Sequence, residues 1–289
     1  MSRIERRFKK SKRKLKIKKS MKNILSDKGT RLFIILGGFF IANAIIAEFI
    51  GVKIFSLEKT LGFEPFSMEF FGEKNLAFSL TAGTLLWPVV FIMTDIINEY
   101  FGMKGVKMLS YLAVGLIAYG FVMVYFAIGL EPAGFWPTSH ITPELSEIQK
   151  QDVMNKVGDY DYAFKLVFGQ GLWIIAGSII AFLIGQLVDV FAFHKIKEKT
   201  GDKHLWLRAT GSTLISQFVD SFVVLIIAFY IGANWSLVLV LAIGLVNYIF
   251  KFMVAVLLTP SLYLIHNIID RYLGEEKSKA MRDAALLSS

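Results

Sequence analysis

Three polar side chains share one helix face within an otherwise apolar stretch of the chain. Asp95, Asn98 and Glu99 are spaced by three and four residues, which places them on the same side of an α-helix. In a membrane, a charge near the bilayer centre costs about 2.5–3.5 kcal/mol on insertion scales. Each of these side chains therefore requires a partner, a polar cavity or a function.

Polar side chains interrupt the other apolar stretches in a similar way. Gln186 with Asp189, and Asn247 with Lys251, again share helix faces. The candidate substrate-binding residues are Asn43, Trp87, Asp95, Glu99, Gln186, Asp189, Gln217, Asp220, Asn247 and Lys251. Carboxylates and amides make paired hydrogen bonds to planar amide-like edges, and aromatic faces stack on flat rings. The aromatic candidates for stacking are Trp87, Phe91, Phe218 and Phe222.

Two parts of this set have alternative interpretations. Asp220 and Lys251 either contact a substrate or form only an interhelical ion pair, as occurs in membrane bundles away from any substrate. Asp95 and Glu99 bind substrate from the inner side, relay protons, or hold Arg208 and a nearby lysine-bearing turn. The sequence leaves these alternatives open.

The chain lacks the familiar motifs of enzymes. It contains no His-Glu-x-x-His, no Gly-x-Ser-x-Gly, no phosphate-binding loop and no dinucleotide fingerprint. Cysteine is absent, which excludes thiolate metal sites and thiol nucleophiles. The four histidines fall in loops or at the ends of apolar stretches, so we expect no metal cluster within them. We predict no catalytic residue, no metal and no cofactor.

The composition indicates an integral membrane protein. Hydrophobic residues make up 55% of the 289 residues and charged residues only 19%, whereas soluble domains carry about 25% charged residues. Apolar runs long enough to cross a bilayer lie near 31–51, 78–100, 107–130, 165–190, 209–231 and 236–266. The predicted fold is an all-α, multi-pass bundle of six transmembrane helices.

The loop charges predict the orientation of the bundle. Segments 101–107 and 191–208 and the tail from Arg271 are rich in Lys and Arg, whereas 52–77 and 131–164 carry more acids than bases. Because Lys and Arg accumulate in cytoplasmic loops, both termini are expected in the cytoplasm and the protein in the cell (inner) membrane. The predicted organisation is a basic arm (1–30), a transmembrane domain (31–270) and a cytoplasmic tail (271–289).

The basic arm accounts for the net charge of +9. Residues 1–31 hold fourteen of the 32 Lys and Arg and two acids. A nucleic-acid-binding arm and a signal peptide are the alternatives, but the arm runs directly into an apolar span and is too long for a signal peptide. We expect a topology determinant that contacts anionic lipid, with no nucleic acid as partner.

One outer segment has a predicted helix. In 131–164, Thr142-Pro143-Glu144 has the pattern of an N-cap, a proline at the first helical position and an acid in the first turn. The pattern predicts a short helix over about 143–156, in either a solvated connector or a lid over an outward-facing cavity. Segment 52–77 is expected to be a surface excursion.

Motifs from four of the predicted spans match a known family in order. They are Trp87-Pro88-x5-Thr94-Asp95-x3-Glu99-x2-Gly102, the run 181–189, the run 207–213 with Ser216-Gln217-x2-Asp220, and Asn247-Tyr248-x2-Lys251 with Thr259-Pro260. The chain resembles the queuosine precursor transporters, also called the vitamin uptake transporter family, over about residues 35–270. Several linked motifs make the resemblance specific.

The resemblance implies a six-helix importer of 7-deazaguanine bases, the small-molecule precursors of queuosine in tRNA. Asp220 or Asp95 would accept the N1–H and the exocyclic amine of the purine-like ring, and the amides of the candidate set would complete the hydrogen-bonding edge. The cyano precursor, the aminomethyl precursor and queuine stay open as substrates. Proton-coupled and facilitated transport, and a homodimer, stay open as well.

The competing classes are a non-catalytic scaffold or substrate-binding subunit of a membrane complex, and a transporter of another purine-like or vitamin-like heterocycle. The ordered polar side chains count against a simple scaffold. Ligand-induced stabilisation of the purified protein separates these classes.

Overall fold

The computed structural model describes residues 26–169, 171–200 and 205–287. Most of the predicted basic arm lies outside these residues. The long helices are α1 (Lys28–Ile50), α3 (Trp87–Ile128), α6 (Leu172–Thr200), α7 (Leu205–Leu225, continued by a π-helix over Ile226–Ile231) and α8 (Leu237–Leu273). The shorter helices are α2 (Leu57–Thr60), α4 (Glu147–Lys156), α5 (Tyr160–Phe168) and α9 (Glu275–Leu287). Five of the described helices are long and apolar enough to cross a membrane.

The 42-residue helix α3 folds back on itself at Gly102. The backbone there has φ 69° and ψ −176°, a conformation that is essentially restricted to glycine. The ring of Phe101 lies 4.9 Å from that of Phe33 near the start of α1, whereas Phe121 lies 5.4 Å from Phe49 near its end. The first limb of α3 (87–101) therefore runs antiparallel to α1, and the second limb (103–128) runs parallel to it.

The core lies where α1, both limbs of α3 and α6 meet. Phe40, Tyr100, Ile117 and Phe193 are almost completely buried in this cluster. Large apolar side chains such as Leu257, which is 76% exposed, instead cover the outer surface of the bundle. Apolar side chains on the outside and polar ones on the inside are typical of a protein surrounded by lipid.

The segment between α1 and α3 contains the β-structure. Strands β1 (Ile54–Ser56) and β4 (Ser79–Thr81) pair antiparallel, as do β2 (Met68–Phe70) and β3 (Glu73–Leu76), and a 3-10 turn covers Ala82–Leu85. The all-α prediction is therefore right for the bundle but omitted two small sheets. Three- and four-residue strands are too short for a clear alternating pattern in the sequence.

Glu58 anchors this β-segment. Its carboxylate is 2% exposed and accepts hydrogen bonds from the backbone N–H of Phe78 (2.8 Å) and the hydroxyl of Ser56 (3.0 Å). Burial alone would raise the pKa of Glu58, but these hydrogen bonds outweigh burial and hold the pKa below its usual value. The carboxylate thus ties α2 to the strand that leads into α3.

The predicted helix over 143–156 begins later than expected. Its N-cap is Ser146, which forms a capping box with Gln149, and the helix starts at Glu147. Thr142-Pro143-Glu144 lies in the preceding turn. The sequence signal at Pro143 was misleading because Ser146 and Gln149 form a capping box, a stronger start signal than the N-cap pattern at Thr142.

The short helix α9 closes the end of the bundle that contains Gly102. Asp270 of α8 accepts hydrogen bonds from Tyr100 (2.7 Å), Arg282 (2.9 Å) and Ser278. Lys277 pairs with Asp27 at the start of α1, and this hydrogen bond lowers the pKa of Asp27 to about 2. The Asp27 carboxylate is therefore ionised at any physiological pH.

Candidate functional site

A cavity of about 420 Å³ with several polar side chains in its wall lies between α1, α6, α7, α8 and the β-segment. We call it the outer cavity. Its mouth lies at the β-segment, where Ile54 and Thr81 are exposed. Its ionisable and amide lining groups include Glu48, Asp220, Asn247 and Lys251, and its aromatic lining groups are Trp87, Phe229 and Trp235.

Asp220 and Lys251 form an ion pair across the outer cavity. The Lys251 ammonium donates to Asp220 Oδ2 at 2.6 Å, and the side chains retain 20% (Asp220) and 14% (Lys251) exposure. Nearby, Asn247 Oδ1 is buried without a hydrogen-bond partner among the described residues. The predicted ion pair between Asp220 and Lys251 is thus present in the structure, and it also borders the open space of the outer cavity.

A second, smaller cavity lies between the first limb of α3, α7 and α8. We call it the inner cavity; its volume of about 40 Å³ can hold water but not a bicyclic base in this conformation. Asp95, Thr213 and Gln217 line it, and Trp87 and Lys251 line both cavities. These two side chains therefore stand between the outer and inner cavities.

Several polar atoms near the inner cavity lack a partner within the described part of the chain. They are Asp95 Oδ1, both polar atoms of the Gln217 amide, Gln186 Nε2 and Asp189 Oδ2. An unsatisfied buried polar group costs about 1–3 kcal/mol, so several in one region require an explanation such as bound water or a ligand.

Asp95, Gln186 and Asp189 also belong to a buried hydrogen-bonded layer that joins α3, α6 and α7. Gln186 Oε1 accepts from Thr94 (2.9 Å), Asp189 accepts from Ser216 (3.1 Å), and Asp95 accepts from Thr213 (3.4 Å). Gln186 and Asp189 line neither of the two cavities. Of the three, the structure brings only Asp95 to a cavity wall.

Glu99 lies in a separate, fully paired cluster. Its two oxygens accept from Lys197 (3.0 Å) and Arg208 (2.8 Å), and the Glu99 and Lys197 side chains are each 1% exposed. The preceding residue, Asn98, contacts His194 at 2.8 Å. Of the alternatives for Glu99, the structure matches the one in which it holds Arg208. The sequence did not indicate Lys197, because a lysine after an apolar run is typical of a loop.

Other candidates lie away from the cavities. The Asn43 amide donates to the backbone oxygen of Phe39 within α1 (2.8 Å). Phe218 is 50% exposed and packs against Phe222 and Tyr248, so the predicted stacking role fits Trp87 and Phe91 but not Phe218 or Phe222. Conversely, Glu48, an ionisable residue within the first apolar run that is not among the candidates, lines the outer cavity.

Long apolar helices around a cavity with polar groups in its wall are typical of a multi-pass membrane protein. Residues 81–265, more than half of the chain, match the family described as "Putative vitamin uptake transporter". The chain belongs to this family. The resemblance stated from the motifs is thereby confirmed, and family membership supports a transporter.

Three curated relatives have related names. A Bacillus subtilis (strain 168) protein named "Probable queuosine precursor transporter" is 29% identical over 64% of this chain and 72% of its own length. A Haemophilus influenzae protein with the same name is 26% identical over 69% of this chain and 74% of its own. The "Queuosine precursor transporter" of Escherichia coli (strain K12) is 22% identical over 72% of this chain and 82% of its own. No solved structure matches the chain.

Proposed function

We propose that the protein imports 7-deazaguanine bases, the precursors of queuosine, across the inner membrane. The observation that carries the proposal is the outer cavity, in which a carboxylate, an amide, an ammonium and an indole converge. A guanine-like ring offers adjacent N–H donors, a carbonyl acceptor and two flat faces. The carboxylate can accept from the N–H donors, the ammonium can donate to the carbonyl, and the indole can stack on a flat face.

The proposed pose is based on the polar groups of the outer cavity that either lack a partner or can exchange their present partner for the substrate. The N1–H and exocyclic amine of the base donate to Asp220, and the Lys251 ammonium turns to the ring carbonyl. Asn247 Oδ1, which lacks a partner among the described residues, accepts from a ring N–H. Trp87 stacks on the ring face. The relatives named as queuosine precursor transporters support this class of substrate.

Inward passage uses the residues that line both cavities. As the carrier opens inward, Lys251 leaves the ring carbonyl and approaches Asp95, which lines the inner cavity and whose Oδ1 lacks a partner in the described chain. Widening of the inner cavity then exposes the base to Gln217, and Trp87 moves with it. In this proposal, alternating access depends on Lys251, whose ionic partner changes from Asp220 in the outer cavity to Asp95 in the inner cavity.

The proposed topology has six spans, with the two limbs of α3 crossing in opposite directions and both termini in the cytoplasm. Lysines 104, 107, 195 and 199 lie at the end of the bundle that holds Gly102, which supports a cytoplasmic position for that end. The outer cavity then opens to the outside of the cell.

The test is uptake of labelled base by cells that depend on salvage and carry Asp220→Asn. Loss of a charge-assisted hydrogen bond worth about 1.5–3 kcal/mol lowers uptake by about ten- to a hundred-fold. Glu147→Gln, at an exposed position of α4, is the matched control and retains wild-type uptake. Wild-type uptake by Asp220→Asn at equal membrane abundance rejects the pose. Loss of folded protein instead indicates a purely structural ion pair.

A further inference from the structure

Glu48 is a buried carboxyl group in the wall of the outer cavity that the proposed pose does not use. It lies near the end of α1, and only 8% of its surface is exposed. Both of its oxygens lie 2.6 Å from the single hydroxyl of Ser178 on α6. These are its only hydrogen bonds to other side chains in the described part of the chain.

The charges around Glu48 leave it without a cation. On α7, Asp220 is close enough to act on Glu48 electrostatically, and Asp220 is already paired with Lys251 of α8. The other cavity-lining residues of α6, of α3 and of the β-segment are neutral. Among the described residues, the lining of the outer cavity therefore offers two carboxyl groups and one ammonium.

The hydrogen bonds to Ser178 favour a proton on Glu48. One hydroxyl has one hydrogen, so it can donate fully to only one oxygen of a carboxylate. A neutral carboxylic acid supplies the second hydrogen, because its own O–H donates to Ser178 Oγ while the serine donates to the other oxygen. A proton also removes the excess negative charge from a carboxyl group that is only 8% exposed.

We propose that Glu48 is the proton-binding site that couples import to the proton gradient. This inference rests on the proposed transport function. A proton from the external solution enters through the outer cavity and forms the O–H bond of Glu48 as substrate binds at Asp220 and Asn247. The same bond breaks after the carrier opens inward, and the proton leaves to the cytoplasm. Each cycle carries one proton and one base.

The experiment uses purified, reconstituted protein and the uncharged cyano precursor as the labelled probe. For the wild type, an inward proton gradient drives accumulation, and an uncoupler abolishes it. Glu48→Gln keeps the shape and neutrality of the protonated acid but cannot release a proton. It is expected to lose accumulation at least ten-fold while retaining exchange of internal for external base. Glu131→Gln, in the exposed outer loop, is the matched control and stays gradient-driven.

Two results overturn the proposal. One is gradient-driven accumulation by Glu48→Gln at the wild-type level. The other is a selective loss of the aminomethyl precursor with unchanged gradient-driven uptake of the cyano precursor, which would make Glu48 a site for a substrate ammonium.

Failure of the transport function is recognisable separately, because the wild type would then exchange no 7-deazaguanine at all. In that case the infrared carboxylic-acid band of the purified protein still tests the protonation of Glu48. A band that disappears in Glu48→Gln supports a protonated Glu48, and a band unchanged by this substitution contradicts it.

Discussion

At the scale of single residues, buried charges in this protein follow two different arrangements. Glu99 is enclosed by Lys197 and Arg208, so both of its oxygens are used and it faces neither cavity. Asp95 and Asp220 keep contact with a cavity wall. A buried charge that is enclosed by ionic partners contributes to the structure of the bundle, whereas a charge at a cavity wall is available to contact a bound ligand.

The first prediction concerns Glu99→Gln. Removal of the Glu99 charge from this buried ion cluster eliminates its attraction to Lys197 and Arg208, and breaking a buried ion pair in this way costs about 3–5 kcal/mol. Thermal unfolding in detergent should show a clear loss of stability. Glu198→Gln, which disturbs an exposed pair with Lys195 (3.6 Å), should have little effect. Equal unfolding temperatures for wild type and Glu99→Gln would contradict a structural role.

The sequence predicted the polar face of α3 but not the residues that contact it. The i, i+3, i+4 spacing of Asp95, Asn98 and Glu99 correctly indicated one face, and all three contact α6 or α7. Which cation pairs with each Glu99 oxygen depends on differences of a few ångströms in the distances between helices. Local spacing does not contain that information, so the closed cluster at Glu99 and the role of Lys197 were not predictable.

At the scale of elements, the reversal at Gly102 decides how α3 contributes to the site. Its first limb carries Trp87 and Asp95 to the cavities, and its second limb packs beside α1. The sequence analysis predicted two spans here from length and from the lysines that follow. It could not predict that the helix is interrupted at Gly102 alone and continues on both sides of it, because this depends on the backbone angles of that residue.

The second prediction concerns Gly102→Ala. An alanine at φ 69°, ψ −176° is strained by about 1–3 kcal/mol, so the variant should unfold at a lower temperature than wild type. Gly115→Ala is the control, because it lies in the second limb of the same helix with open space at the added methyl group. A Gly102→Ala variant as stable as Gly115→Ala would show that the reversal does not require glycine.

At the scale of the whole molecule, the two ends of the bundle differ in chemistry. One end combines α9, the Gly102 reversal and several lysines, and the other carries the β-segment and the mouth of the outer cavity. The sequence predicted this asymmetry from loop charges alone. It did not predict the cavity, since a cavity depends on the space that all helices leave together.

The third prediction concerns the orientation of the protein in the membrane. Because the sequence contains no cysteine, a single introduced cysteine can be labelled specifically. A membrane-impermeant maleimide should label Ser139→Cys, in the exposed outer loop, on intact cells. It should label Lys279→Cys, exposed on α9, only after the membrane is opened. Labelling of the second variant on intact cells would contradict cytoplasmic termini.

The most direct test of the central claim is substrate protection of a thiol placed inside the bundle. Thr84 lines both cavities and is 7% exposed, so Thr84→Cys should react slowly with a small impermeant thiol reagent added from outside. We predict that a saturating 7-deazaguanine base slows this reaction at least several-fold but leaves Ser139→Cys unaffected. An unchanged rate at position 84, with a base that the cells are shown to import, would contradict binding in the cavity.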